Sequence, residues 1–341
     1  MRIGENPTKF ARHNSALVNL KVKNPRSIMA ATVVYIPRTT DYYSDSLEIL
    51  KASIDSVLRT IHSPFDLVVF DNGSCDVVIE YLLKCYRENK IQLLWLSSEN
   101  TKKIGAWNQI FGSCQAEYVY YFDSDILHKD GWFERSKEIL DLFPMVGTVN
   151  AAPIAMKNKE ARDRTLSSTI GFVNDRDDLL IREGIFSSHA WFYEFGESLG
   201  TDPERYLKNA ISKKQILCKK GDLEFFVQSW HAQFLAKGDV LRGFFPQSST
   251  WASANSDLSL DEMLNENGYL RFGIKEPFVS HMGNVLSSSN MEKIKKYSNV
   301  DLESNFRKGR GGIFRALLKN KYLRYIILKI HSITFNMLHG L

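Results

Sequence analysis

The stretch that decides the fold is Tyr118-Val119-Tyr120-Tyr121-Phe122-Asp123-Ser124-Asp125. Its first five residues are aromatic or β-branched without polar alternation, a pattern typical of a strand buried on both faces. Two carboxylates follow immediately, where such a strand would end. Parallel α/β sheets bind their ligands beyond the carboxyl ends of the strands. The stretch therefore predicts a buried strand that presents an acidic pair to a ligand.

Apolar strand patterns alternate with helical patterns on both sides of this stretch. Strands are predicted at 32–36, 66–70, 91–96 and 145–149, and helices at 45–60, 76–88, 104–115 and 131–142. This alternation with short loops indicates an α/β fold with a mostly parallel central sheet flanked by helices. Beyond residue 150 we predict a helix at about 222–237 and a strand at 239–245, and we interpret 247–290 as loops over the site.

These patterns suggest three parts. They are a basic N-terminal arm (1–30), a main domain (31–290, with halves 31–150 and 151–290) and a basic amphipathic helical tail (291–341). The whole chain has 341 residues, 44% of them hydrophobic, which is ordinary for a folded protein. The four cysteines show no CxxC spacing, which argues against a zinc knuckle and favours a reduced, cytoplasmic compartment. Neither a signal peptide nor a membrane-spanning run is predicted.

The net charge of +5 is concentrated at the two ends of the sequence. Residues 1–30 contain six basic and one acidic residue, and residues 301–341 contain eight basic and two acidic residues. Residues 31–300 are mildly acidic, which argues against nucleic-acid binding along the core. The apolar spacing from Tyr322 onward predicts a helix that lies peripherally on an anionic membrane surface at its inner face. For the two basic ends, solvated tails are the alternative, and for this helix the alternative is packing on its own domain with a basic outer face.

Three polar motifs lie where strands are predicted to end or helices to begin. Asp123 and Asp125 have the ligand chemistry for a hard divalent cation or a ribose hydroxyl, although a surface turn is the alternative. Asp71-Asn72-Gly73-Ser74 ends the second strand. Either the Asp71 carboxylate accepts a hydrogen bond from a nucleobase, or the four residues form a simple Asx turn. The basic stretch from Asn100 to Asn108 opens a helix and can attract phosphates there.

Taken together in this order, the motifs resemble those of the family-2 glycosyltransferases and their GT-A relatives. The resemblance covers about 32–150 and, more weakly, 215–285. It implies a nucleotide-diphospho-sugar transferase fold of the GT-A type, with Asp71 on the base and Asp123, Asp125 and His281 around Mn²⁺ or Mg²⁺. It assigns nucleotide-sugar binding to these motifs, namely Pro37, Arg38, Thr39, Asp71, Asn100, Lys103, Gly105, Asn108, Asp123 and Ser124.

The resemblance also places a catalytic pair of acidic residues at the start of a helix after the aromatic segment. Here Gly221-Asp222-Leu223-Glu224 occupies that place, with Gly221 where the usual first acid stands. Inverting transfer requires a base that deprotonates the acceptor hydroxyl. Asp222 is the favoured base, and Glu224 remains the other candidate. The structural alternative is that these acidic residues only stabilise the start of the helix. His189 and His231 are interpreted as structural.

The resulting prediction is a metal-dependent, inverting glycosyltransferase of the hexosyltransferase type (EC 2.4). It would move a sugar from a nucleotide-diphosphate donor to a glycan or lipid-linked acceptor, in surface polysaccharide or glycolipid synthesis. A sugar nucleotidyltransferase is less favoured because Pro37-Arg38-Thr39-Thr40 has no glycine-rich phosphate loop. A catalytically weak binding protein of the same fold is the other alternative, and Gly221 is its support.

Overall fold

The computed structural model describes residues 25–154, 163, 165–211, 213–245 and 256–300. The chain divides into a unit of residues 1–300 and a unit of residues 301–341. The second unit contains most of the predicted basic tail and lies outside the described residues, as does most of the predicted N-terminal arm.

Ten strands in the described part of the chain form one sheet in the order β3-β2-β1-β4-β10-β6-β11-β9-β8-β7, and β5 pairs separately with β12. The strands are β1 (Ile28–Val34), β2 (Asp66–Asn72), β3 (Leu93–Ser97), β4 (Tyr118–Asp123), β5 (Ile126–His128), β6 (Val146–Asn150), β7 (Leu180–Gly184), β8 (Gln215–Lys220), β9 (Leu223–Val227), β10 (Gln233–Lys237), β11 (Leu270–Ile274) and β12 (Val279–His281). Strands β1 to β4, β6, β8 and β11 share one direction, and β7, β9 and β10 oppose it. The predicted α/β class with a mostly parallel central sheet is confirmed.

Helices cover both faces of this sheet. They are α1 (Ser46–Thr60), α2 (Asp76–Arg87), α3 (Lys102–Gly112), α4 (Trp132–Leu140), α5 (Ser167–Asn174), α6 (His189–Ser198), α7 (Pro203–Ile211), α8 (Gly238–Phe244), α9 (Ser256–Glu266) and α10 (Ser288–Tyr297), with a 3₁₀ turn at Asp41–Tyr43. None of those that the structure describes is long and apolar enough to span a bilayer.

The two faces of the sheet have separate apolar cores, and β1 contributes to both. Ile28 and Ala30 pack into one core with helix α1, whereas Met29 and Ala31 pack into the other with helix α3. Successive strand residues point to opposite faces, so a strand covered on both sides needs apolar residues at every position. This explains why β1, apart from Thr32, and β4 as far as Phe122 are apolar runs in the sequence.

Two boundaries differ from those predicted from the sequence. Strand β1 begins at Ile28, so the end of the predicted arm (1–30) belongs to the sheet. Helix α10 crosses the predicted border between 290 and 291, and its Ile294 is fully buried. Burial of that side chain ties the start of the predicted tail to the main domain.

The prediction for residues 222–245 is wrong in both of its elements. The predicted helix at 222–237 is the two strands β9 and β10, and the predicted strand at 239–245 is helix α8. Gly221 has a φ of +58° and turns the chain between β8 and β9, which pair as an antiparallel hairpin. The predicted loops at 247–290 also contain α9, β11 and β12.

His128 is a buried histidine that links the two sheets to helix α1. Its Nδ1 lies 2.9 Å from Ser56 Oγ and its Nε2 lies 2.6 Å from the Tyr120 hydroxyl. Burial lowers the pKa of His128 to about 3. An unfolded histidine takes up its proton near pH 6.5, so the native state binds fewer protons at intermediate pH. This contribution to stability is therefore complete above pH 6.5 and is lost as the pH falls toward 3.

We expect the free energy of unfolding, measured by urea titration, to decrease between pH 6.5 and 5. One proton contributes a slope of up to about 1.4 kcal/mol per pH unit. His128→Gln should reduce this slope by up to that amount, whereas replacement of the exposed His62 in His62→Gln should leave it unchanged. Equal slopes in the wild type and in His128→Gln would show that His128 does not set the acid sensitivity.

Candidate functional site

The turn after β2 places Asp71 at the carboxyl edge of the sheet. Its carboxylate is fully buried, and Oδ2 accepts a bond of 3.1 Å from the amide of Ser74. Ser74 Oγ in turn accepts the amide of Ile36 after β1 at 3.0 Å. Gly73 has a φ of +86°, and a Cβ there would lie 3.2 Å from the Glu99 carbonyl carbon. The turn is thus fixed to both neighbouring segments.

The other oxygen of Asp71, Oδ1, is buried without a hydrogen-bond partner among the described residues. A buried acceptor of this kind is energetically unfavourable unless something donates to it. The Asx-turn interpretation accounts for Oδ2 alone. Oδ1 is therefore suited to an external N–H or O–H donor.

Asn72 joins this turn to the start of α3. Its Oδ1 accepts the amide of Thr101 at 2.8 Å, and its Nδ2 donates to Asn100 Oδ1 at 3.0 Å. Asn100 therefore acts within the turn network. Gly105 and Asn108 are buried in α3 beneath it. The sequence motif included Asn72, but its cross-linking role was not predicted.

Lys103 binds the first carboxylate of the acidic pair. Its Nζ lies 3.0 Å from Asp123 Oδ1 and 3.2 Å from the His231 carbonyl oxygen. Tyr121 donates its hydroxyl to Asp123 Oδ1 at 2.7 Å. Burial raises the pKa of Asp123, Lys103 opposes that effect, and the nearby Asp125 adds to it, so that the pKa stays above its usual range.

Asp125 pairs with His281, whose strand β12 lies antiparallel to β5. Asp125 Oδ2 is 3.1 Å from His281 Nε2, and Ser198 Oγ is 2.8 Å from His281 Nδ1. Burial alone would lower the pKa of His281, but the carboxylates of Asp125 and Asp123 outweigh it and the pKa is raised. The structure thus brings the three predicted metal ligands into one region.

Asp125 Oδ1 is the second buried carboxylate oxygen at this edge without a partner in the described part of the chain. Carboxylate oxygens and imidazole nitrogen suit Mn²⁺, so the donor set fits a divalent ion. Across the described ranges, however, no three His, Cys, Asp or Glu side chains form a ready metal centre. The reason is that Asp123 is directed at Lys103 and Tyr121. A cation would require Asp123 to change partners.

The remaining predicted residues after β1 are more exposed. Arg38 lies beside Asp41, with 3.8 Å between Nε and Oδ2, and its guanidinium lies over the Tyr43 ring. Pro37 and Thr39 flank it in the same loop. Within the described part of the chain, none of these three side chains forms a hydrogen bond or ion pair with Asp123 or Asp125. The structure places them at the correct edge of the sheet without joining them to the acidic pair.

The predicted catalytic carboxylates lie at the other end of the sheet. Asp222 is exposed in the β8–β9 turn, and Glu224 is paired with Lys275. Strands β10, β6 and β11 separate β9 from β4. At about 4.8 Å per strand, the sheet places them roughly 19 Å from Asp123. The predicted helix start that motivated these two assignments is a hairpin turn.

The loop between β9 and β10 adds residues that sequence reasoning did not assign to the site. Ala232 accepts the backbone amide of Asp123 at 2.7 Å. Trp230 contacts Trp191 and Phe195 edge-on, and Phe195 in turn packs against His281 at 5.3 Å. His231 binds Asp261. No spacing in the sequence could have joined a histidine at 231 with a carboxylate at 261.

Comparison with known proteins agrees with this architecture. Residues 42–196 match the family described as "Glycosyl transferase family 2". An "Uncharacterized glycosyltransferase" of Nostoc sp. is 23% identical over 144 residues, which are 42% of this chain and 44% of that relative. The match therefore spans less than half of the relative's length.

Two solved structures are similar at a lower level. A mannosyltransferase from Pyrobaculum calidifontis in complex with GDP-Man and Mn²⁺ has 16% identity and a TM-score of 0.32, covering 43% of this chain and 41% of its own. TarS 1–349 of S. aureus in complex with UDP-GlcNAc has 11% identity and a TM-score of 0.41, covering 82% and 69%.

Over residues 42–196 the chain is similar to the family-2 glycosyltransferases, and the predicted resemblance is confirmed over that segment. That segment contains β2 to β7, and with them Asp71, Asp123 and Asp125.

Proposed function

We propose that this chain is a metal-dependent, inverting glycosyltransferase that uses a nucleotide-diphosphate sugar. The observation that carries the proposal is the pair of buried carboxylate oxygens without a partner among the described residues, Asp71 Oδ1 and Asp125 Oδ1. Strand β1 pairs with β2 on one side and β4 on the other, with Val34 opposite Asp71 and Val33 opposite Asp123. Two strand spacings amount to roughly 10 Å, so one elongated ligand can contact both ends.

Each end of the donor would have a chemically suitable group of the site to bind. Asp71 accepts a hydrogen bond from the base, and the turn network of Asn72 fixes its position. Asp123 and Asp125, with His281, would hold Mn²⁺ or Mg²⁺. When bound, the cation would act as a Lewis acid that stabilises negative charge on the departing diphosphate. Lys103 adds a positive charge that is already held at this position by Asp123.

A thermal-shift screen with nucleoside diphosphates tests this proposal directly. We expect one base to raise Tm by several degrees when Mn²⁺ is present and by much less without it, because ligands that bind only the native state stabilise it. Asp71→Asn should weaken this shift. The matched control is Asp76→Asn, which changes an aspartate at the start of the helix that follows, α2. Absence of any shift with all nucleotides and Mn²⁺ would contradict the proposal.

The position of Asp222 and Glu224 leads to a separate prediction about catalysis. Because both lie far from Asp123 across the sheet, we expect Asp222→Asn and Glu224→Gln each to change kcat by less than about threefold. A general base would instead contribute about 10²–10⁴-fold. Steady-state rates of donor turnover at saturating Mn²⁺ decide between the two. A loss of two orders of magnitude in either variant would restore the original assignment.

The acceptor and the location of the reaction also belong to the proposal. We infer a glycan or lipid-linked acceptor hydroxyl, which the protein reaches at an anionic membrane surface through its basic segment 306–341. This segment lies outside the described residues. Removal of 306–341 should release the protein from liposomes that contain anionic lipid. Unchanged sedimentation with such liposomes would rule out this role. Gly221 gives no support to a non-catalytic role, because it serves the β8–β9 turn.

A further inference from the structure

We propose that three lysines beside the acidic site, Lys129, Lys293 and Lys296, bind the phosphate groups of an anionic lipid surface. Lys129 follows strand β5, and Lys293 and Lys296 lie one turn apart on helix α10. None of the three belongs to the segment 306–341, so this lysine cluster is a separate contact made by the folded domain. The inference goes beyond the proposed function, because binding here requires no turnover.

Lys129 carries a positive charge that no carboxylate pairs with directly in the ranges the structure describes. Its side chain is half-buried, and its Nζ donates to the Pro277 carbonyl oxygen at 3.0 Å. Burial and the neighbouring ammonium groups of Lys293 and Lys296 lower the pKa of Lys129, and the nearby Glu194 opposes this effect only in part. A phosphate bound at Nζ would favour the charged form of the lysine and relieve this unfavourable environment.

Helix α10 brings two further ammonium groups to the same place. Lys296 Nζ lies 5.1 Å from the centre of the Tyr297 ring, and Lys129 Nζ lies 5.7 Å from the same ring centre. One aromatic ring therefore holds two cations close to it, an arrangement that its π-electrons favour. Lys293, one turn earlier, lies 2.6 Å from Glu194 Oε2 through its Nζ.

The lysine cluster stays positively charged after the nearby carboxylates are counted. Glu194 neutralises one of its three charges, and the exposed Glu292 and Lys295 of α10 offset each other. Helix α10 is held in place by the fully buried Ile294 and by Asn290, whose Nδ2 donates to a backbone carbonyl oxygen of the preceding loop at 2.8 Å. Because the ammonium groups are already gathered, binding an anion costs little conformational freedom.

The cluster borders the proposed nucleotide-sugar site. A narrow gap next to β12 is lined in part by Lys293, Glu194 and His281, and His281 Nε2 lies 3.1 Å from Asp125 Oδ2. The three-residue strand β5 separates Asp125 from Lys129. At about 3.4 Å per residue, their Cα atoms are at most roughly 14 Å apart. A lipid headgroup bound by the lysines would therefore lie beside the acidic pair, where a lipid-linked acceptor is required.

An anionic membrane is the partner that the charges of this region fit. The sequence that follows α10, residues 301–341, contains eight basic and two acidic residues. The ammonium group of lysine binds phosphate as a point charge, and lipid headgroups present many phosphates on one surface. Residues 31–300 are mildly acidic as a whole, which disfavours a long polyanion that would run along the domain. The positive charge is thus local and adjoins the basic segment in the sequence.

Sedimentation of the full chain with vesicles tests the inference. The double variant Lys293→Gln and Lys296→Gln removes two charges and leaves Lys129 and residues 306–341 unchanged. Each lysine near an anionic surface contributes roughly fivefold to binding, so partitioning onto phosphatidylglycerol vesicles should fall by about 10- to 30-fold. Binding to phosphatidylcholine vesicles should be weak for the wild type and the variant alike.

The matched control removes two charges from another surface. Lys84→Gln and Lys90→Gln change lysines that lie near Glu88 at the end of α2, beside the outermost strand β3. This double variant should partition like the wild type. An equal loss in both double variants would show that net charge alone matters, and it would overturn the assignment to the lysine cluster.

A single variant keeps the test decisive if the double variant is unstable. Lys296→Gln changes an exposed side chain, so it should keep the wild-type Tm and lower partitioning by about fivefold. Glycerol phosphate should displace the wild type from vesicles no more than NaCl of equal ionic strength does. Stronger displacement would assign the cluster to free phosphate esters, and unchanged partitioning of Lys296→Gln would likewise overturn the inference. No turnover is measured, so a failure here is distinguishable from a failure of the proposed function.

Discussion

Replacing both Asp123 and Asp125 by asparagine is expected to lower metal-dependent turnover of the nucleotide sugar by about 10³-fold or more. Charge stabilisation by a cation contributes several kcal/mol, and each 1.36 kcal/mol is a factor of ten in rate. Asparagine keeps the shape of each side chain but removes the charge that would hold the ion. The rate of nucleoside-diphosphate release with Mn²⁺ measures the effect. The combined thermal shift by Mn²⁺ and nucleotide should disappear with it.

Asp130→Asn is the matched control for this double variant. Asp130 lies in the loop after β5, and its side chain is 77% exposed, so its loss should change neither rate nor Tm. The single variant Asp125→Asn distinguishes the roles of the two carboxylates, because Asp123 is bound by Lys103 while Asp125 Oδ1 is unpartnered within the described chain. We expect Asp125→Asn alone to produce most of the loss. Wild-type turnover in the double variant would remove the basis of the proposed function.

The half of the sheet that carries the acidic pair could be predicted from the sequence. Strands β1 to β4 and β6 are buried on both faces or follow a helix closely, so each is a short apolar run between turn signals. Asp71 and Asp123 end two of these runs, and parallel strands bring their carboxyl ends to one edge. The placement of Asp71 and Asp123 at one edge of the sheet therefore follows from local pattern and topology together.

The region from 222 to 245 could not be predicted in the same way. Leu223-Glu224-Phe225-Phe226-Val227 contains apolar residues at spacings that fit either a helix or a strand. Tertiary pairing decides between them, since β9 binds β8 on one side and β11 on the other. Gly221, interpreted as a lost acid, is in fact required by a left-handed turn. Propensity is a weak guide where neighbouring strands supply the hydrogen bonds.

Long-range partners explain the part of the site that was missed. His231 contacts Asp261 across 30 residues, and Asp261, in the middle of α9, contacts Arg271 near the start of β11. Neither contact has a fixed spacing that a motif could report. Asp125 and His281 were linked by resemblance alone, and the antiparallel pairing of β5 with β12 supplies the physical reason for their contact.

Gly238→Ala is expected to destabilise the protein by about 3 kcal/mol, the upper end of the range for overpacking. A Cβ at Gly238 would lie 2.0 Å from the Ala116 carbonyl oxygen, which is backbone and cannot rotate away. The amide of Gly238 also donates to the Glu117 carbonyl oxygen at 2.8 Å, so α8 cannot move outward without breaking that bond. The expected decrease in Tm is roughly 6–12 °C for a domain of this size. Because Ala116 and Glu117 lead directly into β4, the same displacement should reduce nucleotide binding at Asp123.

Gly243→Ala provides the control within the same helix. No heavy atom lies within 4 Å of a Cβ built at Gly243, so the added methyl group meets open space. Alanine also loses less backbone entropy than glycine when a helix forms, and a gain of about 0.5–1 kcal/mol is expected. Opposite signs for the two substitutions in one seven-residue helix would show that the contact with Ala116, rather than helix propensity, controls the junction between α8 and β4. A similar Tm in both variants would mean that the start of α8 can shift away from β4 without loss, and Gly238 would then have no role in holding the acidic pair.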